Sequence, residues 1–155
     1  MKLHNRETNE VVEAEIVRVA VNDFSKIKKS KQFLFDWDEE SKFEVYKIII
    51  SEEENPEIHG LISIIDTPEE MRVHINLVEN SNENKGESKK YDWVAGCLLA
   101  FATKMAFENG YLGFTSLIPK TKLIGLYVNK YGFSQYGRQL AIEQDAALSL
   151  IQKYL

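Results

Sequence analysis

Apolar and polar residues alternate over 11–20, where Val12, Ala14 and Ile16 are interleaved with Glu13 and Glu15, and this predicts a first strand. Three further strands are predicted over 43–50, 58–65 and 71–79, each rich in β-branched residues. Short turns at Glu52-Glu53-Glu54-Asn55-Pro56 and Asp66-Thr67-Pro68 separate them. Connections this short predict antiparallel neighbours in a meander. Residues 22–38 read two ways: Phe24, Ile27 and Lys31 stand at helical spacing, whereas Phe33-Leu34-Phe35 looks extended. The polar run 81–90 predicts a loop. The period then changes to three and four, with Val94, Cys97, Leu98, Phe101, Ala102, Met105 and Ala106 forming one apolar stripe that Asn109-Gly110 ends. A fifth strand follows over 113–119. Thr121 is the expected cap of a helix carrying Leu123, Ile124, Tyr127 and Tyr131, stopped by Gly132. A short strand pair over 133–142 leads to a last helix, capped by Asp145 and packing through Ala147, Leu148, Ile151 and Leu155.

The strand–helix–strand order from Met71 to Leu117 implies a parallel crossover beside the antiparallel meander. The expected fold is therefore α/β of the mixed kind: one domain over 1–155, with a central twisted sheet of about six to seven strands and helices on both faces.

Composition narrows the function more than the fold. The 155 residues are 44% hydrophobic and 28% charged, which suits a soluble globular chain. The net charge of −5 argues against general nucleic-acid binding, which needs an excess of Lys and Arg. The local cluster Lys26, Lys28, Lys29 and Lys31 reads as solvated surface. No apolar run approaches the roughly 20 residues of a membrane span, and the polar start at Met1-Lys2-Leu3-His4 has no secretory character. A cytoplasmic protein is the expectation. Cys97 stands alone and His4, His59 and His74 are scattered, so no metal site is expected.

The candidate chemistry centres on Lys90-Tyr91-Asp92-Trp93-Val94-Ala95-Gly96, where the polar loop turns into the strongest helix. A helix N-terminus behind a strand presents free N–H groups and a favourable dipole to an anion. With Glu79, Asn84, Lys120-Thr121, Leu123-Ile124, Tyr127 and Gly132-Phe133, this run resembles the GCN5-related N-acetyltransferase (GNAT) family. The resemblance covers 43–155 and is best from 71 to 133; residues 1–42 diverge. That family opens its central helix with Gln or Arg, two residues, Gly, one residue, then Gly or Ala, and its backbone holds the pyrophosphate of coenzyme A. Lys90, Trp93 and Ala95 take those three positions here. Glycine permits close approach of backbone to phosphate, so Trp93 must turn its side chain outward or the loop must shift. In the second block Lys120 takes the position of a family asparagine, with Tyr127 seven residues on. Gly132-Phe133 lies one residue further from that tyrosine than is common. The family places two helices between its first two strands, and the interval here leaves room for one at most.

The resemblance implies an acetyl-CoA-dependent N-acetyltransferase that transfers the acetyl group directly to an amine acceptor. Lys90, Tyr91, Asp92, Trp93, Val94, Ala95, Gly96 and Lys120 are then the cofactor-binding residues, with the backbone near Val78 as oxyanion donor. Glu79 is the candidate base, against the plainer reading of a carboxylate at a strand end. Tyr127 is the candidate acid at the leaving thiolate, against that of a core tyrosine on the stripe of Leu123 and Ile124. A catalytically inactive acyl-CoA-binding or interaction module of the same fold is the alternative. A homodimer is compatible with either, and the sequence does not name the acceptor.

Overall fold

The computed structural model describes all 155 residues. The chain forms two compact units: Met1–Ser63 with Leu77–Leu98, and Ile64–Asn76 with Leu99–Leu155.

The first unit opens with β1 (Lys2–Asn5), β2 (Val11–Arg18), α1 (Asp23–Ser30) and β3 (Glu44–Ile50). It also holds the start of β4 (Gly60–Thr67), the end of β5 (Arg72–Asn80), β6 (Tyr91–Asp92) and the start of α2 (Val94–Glu108). Its strands neighbour one another in the order β6-β1-β2-β3-β4. The β1–β2, β2–β3 and β1–β6 pairs are antiparallel, with Ile16 opposite Ile48 and His4 opposite Asp92. Val19, Ile27, Trp37, Val45 and Leu61 form one buried cluster in it, with Phe24, Phe33, Ile58 and Leu77 packed against them. The ambiguous stretch 22–38 resolves as eight helical residues, then a short stretch that is neither helix nor strand, then a 3-10 turn at Trp37–Lys42. Gly60 is where β4 meets α2: a Cβ there would lie 2.6 Å from Val94 Cγ1 and 2.9 Å from Leu98 Cδ1, so any side chain would force those two to shift.

The second unit contains β7 (Thr115–Leu117), α3 (Ile124–Tyr131), β8 (Ser134–Tyr136), β9 (Gln139–Ile142) and α4 (Gln144–Tyr154), with the remaining parts of β4, β5 and α2. Its order is β5-β7-β9-β8. Val73 to Ile75 pair with Thr115 to Leu117 in parallel, as a crossover through a helix requires. Val73, Ile75, Leu117, Phe133, Leu140 and Ile142 are buried in this unit.

Four expectations are corrected. The sheet has nine strands, more than six to seven, because β1 and β6 are four and two residues long. Such short, polar strands carry too few alternations to register as a pattern. Gln144 rather than Asp145 opens α4, and Glu143 is its N-cap, in extended conformation. Thr121 lies inside a 3-10 turn whose N-cap is Lys120, leading directly into α3. Finally, α2 is buried on more than one stripe, since Leu99, Ala100 and Thr103 are enclosed along with Val94, Cys97, Leu98, Ala102 and Ala106.

Candidate functional site

The opening of α2 is built by the N-terminal strand. β1 runs beside β6, the Arg6 N–H donates to the Lys90 carbonyl at 2.8 Å, and the Arg6 guanidinium donates to the Glu87 carbonyl at 2.8 Å. Residues 4 to 6 thereby reach a turn nearly ninety positions away. Trp93 adopts φ +79°, the left-handed region that favours glycine. Its indole points outward, 44% exposed, and stacks on His4 with ring centroids 5.5 Å apart. The side chain has turned while the backbone keeps a glycine's shape.

The helix ladder begins with the Cys97 N–H donating to the Trp93 carbonyl at 2.9 Å. The N–H groups of Val94, Ala95 and Gly96 precede that bond, so they have no acceptor one turn back. Asp92 would oppose an anion here, but His4 at 3.3 Å and Arg6 at 3.8 Å offset its charge. His4 faces two acceptors, Asn9 Oδ1 at 2.8 Å and Asp92 Oδ2, and these raise its pKa above the ordinary value, Asn9 more strongly. Lys90 Nζ sits 5.8 Å from the Tyr91 ring centroid. Lys90 and Arg6 outnumber Asp92, so the turn fits a phosphate-bearing group in both its N–H donors and its charge.

Glu79 occupies a different setting. Its side chain is 2% exposed, and its two oxygens accept four hydrogen bonds. Oε2 takes the Leu34 N–H at 2.7 Å and Lys85 Nζ at 2.7 Å; Oε1 takes the Phe35 N–H at 3.2 Å and Trp37 Nε1 at 2.9 Å. Burial pushes this carboxyl up, but the Lys85 ammonium and the other donors outweigh it and hold the pKa below the usual value. Such a carboxylate fastens the irregular segment after α1 to the end of β5. It is a weak proton acceptor. Val78, the adjacent residue, is half-buried in β5.

The loop after β5 is tied by Asn84, which has no exposed surface. Its amide nitrogen donates to Ser81 Oγ at 2.8 Å and to the His59 carbonyl at 3.3 Å, and its oxygen accepts the Tyr91 N–H at 2.9 Å. The same nitrogen lies 3.2 Å from His59 Nδ1, and His59 Nε2 is buried without a hydrogen-bond partner. Burial lowers the His59 pKa and keeps the ring neutral. This knot sets the path of the chain into Tyr91 and so to the opening of α2.

Tyr127 and Lys120 lie in the second unit, while Val78, Glu79 and Lys90 to Gly96 lie in the first. Tyr127 is half-buried, with its ring 5.8 Å edge-on to Phe133 and 6.1 Å from Tyr131, and burial raises its pKa. Lys120 is exposed at the start of the turn into α3. His74 donates to or accepts from Ser116 Oγ at 2.8 Å, and burial lowers its pKa. Cys97 is fully buried, and burial pushes its thiol up to about 11, which removes it as a nucleophile at neutral pH.

No family model and no curated protein sequence matches the chain. Solved structures do. A chimera of the Vibrio cholerae spermidine N-acetyltransferase SpeG and hSSAT matches with a TM-score of 0.62 at 11% identity, over 88% of this chain and 98% of that one. AtaTR bound with AcCoA gives 0.55 at 10% identity, over 89% and 98%. Nourseothricin acetyltransferase gives 0.53 at 12% identity, over 83% and 94%. The chain has the fold of the GNAT acetyltransferases. Within that fold, sequence reasoning missed His4 and Arg6, which come to the helix opening through β1, and Lys85, which pairs with Glu79. No local pattern marks them, because each acts across a chain reversal. No helix is long and apolar enough to cross a membrane.

Proposed function

We propose that the chain is an acetyl-CoA-dependent N-acetyltransferase that passes the acetyl group directly to an amine acceptor. The observation that carries the reading is Trp93 at φ +79° before the first-turn N–H groups of Val94, Ala95 and Gly96: the turn that would hold phosphate has a glycine-like backbone on a residue whose Cβ is strained there. Val94, Ala95 and Gly96 would donate those N–H groups to the phosphates, and Lys90 would add its charge, with Tyr91, Asp92 and Trp93 shaping the turn. Bound acetyl-CoA would supply the activated acetyl group as a thioester. The Val78 N–H is assigned to the developing oxyanion, Tyr127 to proton donation at the leaving thiolate, and Lys120 to a phosphate, with the acceptor amine losing its proton to solvent water. The raised pKa of Tyr127 keeps it protonated at neutral pH, as that role requires.

The four donors on Glu79 favour a second reading, an acyl-CoA-binding module without turnover, since this carboxylate is a poor base as it stands. Two measurements separate the readings. Calorimetric titration with acetyl-CoA, and with desulfo-CoA alongside, is expected to give saturable binding under both. Release of free thiol with a panel of primary amines is expected only under the first. Absence of binding removes both and leaves the fold alone. The neighbours named for spermidine and for nourseothricin differ so widely in acceptor that the fold does not choose one for this chain.

A further inference from the structure

The first unit holds a cavity of about 660 Å³ between α1, the loop joining β3 to β4, and the loop after β5. That volume is within the roughly 300–1,000 Å³ of small-molecule sites. None of Val78, Glu79 or Lys90 to Gly96 lines it. Its wall carries an ion pair with unused capacity. Lys47 Nζ donates to Asp23 Oδ2 at 2.9 Å, and the Ala20 N–H donates to the same oxygen at 2.9 Å. The two side chains are only 18% and 10% exposed. An ammonium has three donors and a carboxylate two oxygens, so Lys47 retains two N–H donors and Asp23 retains Oδ1.

Charges of both signs continue around the cavity, with Lys26 on one side of the ledger and Glu57 and Glu83 on the other. Phe33 and Ile58 add apolar wall. A simple anion would meet three carboxylates here, and a simple cation would meet two ammonium groups. A ligand carrying both charges on a small apolar body satisfies each sign at once.

We propose that this cavity binds a small zwitterion, an α-amino acid with an apolar side chain. Its carboxylate is taken by Lys47 and Lys26, its ammonium by Asp23 and Glu57, and its side chain by Phe33 and Ile58. Val78, Glu79 and Lys90 to Gly96 are absent from its wall, and binding is tested without coenzyme A.

The test is titration of the full chain with L-leucine, L-leucinamide and 4-methylpentanoate, followed by amide NMR and calorimetry. Leucine is expected to bind saturably, about tenfold tighter than either half-charged analogue, with shift changes at Lys47, Phe33 and Ile58. Lys26 is exposed and forms no ion pair, so Lys26→Gln is expected to keep the melting temperature. It should weaken leucine about threefold, the scale of one exposed ionic contact, and leave leucinamide unchanged. Either analogue binding as tightly as leucine overturns the proposal. So does leucine binding that Lys26→Gln does not alter, and so does the lack of saturable binding up to about 10 mM.

Discussion

Two buried acidic side chains of the first unit show how differently a charge can be used. Glu79 has both oxygens doubly engaged, by two backbone N–H groups, an indole and an ammonium, at 2% side-chain exposure. Asp23 is nearly as enclosed, yet it and its partner Lys47 line a cavity, and their bonds at Oδ2 leave one carboxylate oxygen and two ammonium donors over. The first arrangement is closed: nothing can be added, and removing a part leaves buried donors stranded. The second is open, and an approaching group finds capacity waiting. Both carboxyls have pKa values below the ordinary ones, so acidity alone would not tell them apart. Counting occupied lone pairs does.

The comparison is broken most directly at Glu79. Glu79→Gln puts an NH₂ where two donors arrive and leaves Lys85 uncompensated. A loss of about 3 kcal/mol is expected from breaking a buried, hydrogen-bonded charge, which at about 2–4 °C per kcal/mol lowers the melting temperature by roughly 10 °C. Its pH dependence has a fixed sign. The folded pKa lies below the ordinary 4.5, so Glu79 contributes stability above that value and loses it as pH falls through the lower folded value. Denaturant midpoints taken from about pH 6 to about pH 3 should fall for the wild type and flatten in the variant. An unchanged melting temperature, with thiol release abolished, would return Glu79 to the role of base.

Asn84→Ala comes next. It strips three hydrogen bonds from a residue with no exposed surface and leaves the Tyr91 N–H unpaired. About 2 kcal/mol is expected, together with faster amide exchange across 81–91. If protection in that loop is unchanged, the knot does not govern the path into α2.

How far the sequence led can be argued from the same residues. The β-branched richness of 43–50 and 71–79 between turn signals, and the three-and-four spacing from Val94, placed β3, β5 and α2 because each of these signals is local. The GNAT resemblance located the turn at Trp93 and the need for its side chain to turn outward or the loop to shift, while the left-handed φ is visible only in the structure. Polar partnerships were illegible. Nothing in the run Ser81 to Lys90 marks Lys85 as the partner of Glu79, and nothing in Lys2 to Asn5 marks a strand that lies against Tyr91 and Asp92. Hydrophobic periodicity reports which face is buried; it does not report which distant donor a buried carboxylate will find. The Asp23–Lys47 pair, 24 positions apart in a helix and a strand, is hidden for the same reason.

That pair sharpens the contrast at smaller scale. Lys47→Met removes the ammonium but leaves Asp23 with the Ala20 N–H and an oxygen facing the cavity, where water can replace the lost partner. A loss of about 1 kcal/mol is expected, well below that of Glu79→Gln in the same thermal melt. Equal losses would mean that the cavity does not solvate Asp23 and that the two sites are alike.

The smallest effect on stability is expected at Trp93, where two opposing terms nearly cancel. A left-handed φ on a residue with a Cβ costs about 1–2 kcal/mol, so Trp93→Gly relieves strain at φ +79°. Against this, glycine adds unfolded-state entropy worth about 0.5–1 kcal/mol, and the stack on His4 is lost. The net change in a denaturant melt should stay within about 1 kcal/mol. Trp93→Ala should be the worse variant, because it loses the stack and keeps the strain. The two then divide the reading of the phosphate turn. If Trp93 serves only to hold a glycine's backbone, acetyl-CoA binds Trp93→Gly at least as tightly as the wild type in calorimetry. A loss beyond about tenfold, with the fold intact, would instead make the exposed indole a contact of the ligand itself.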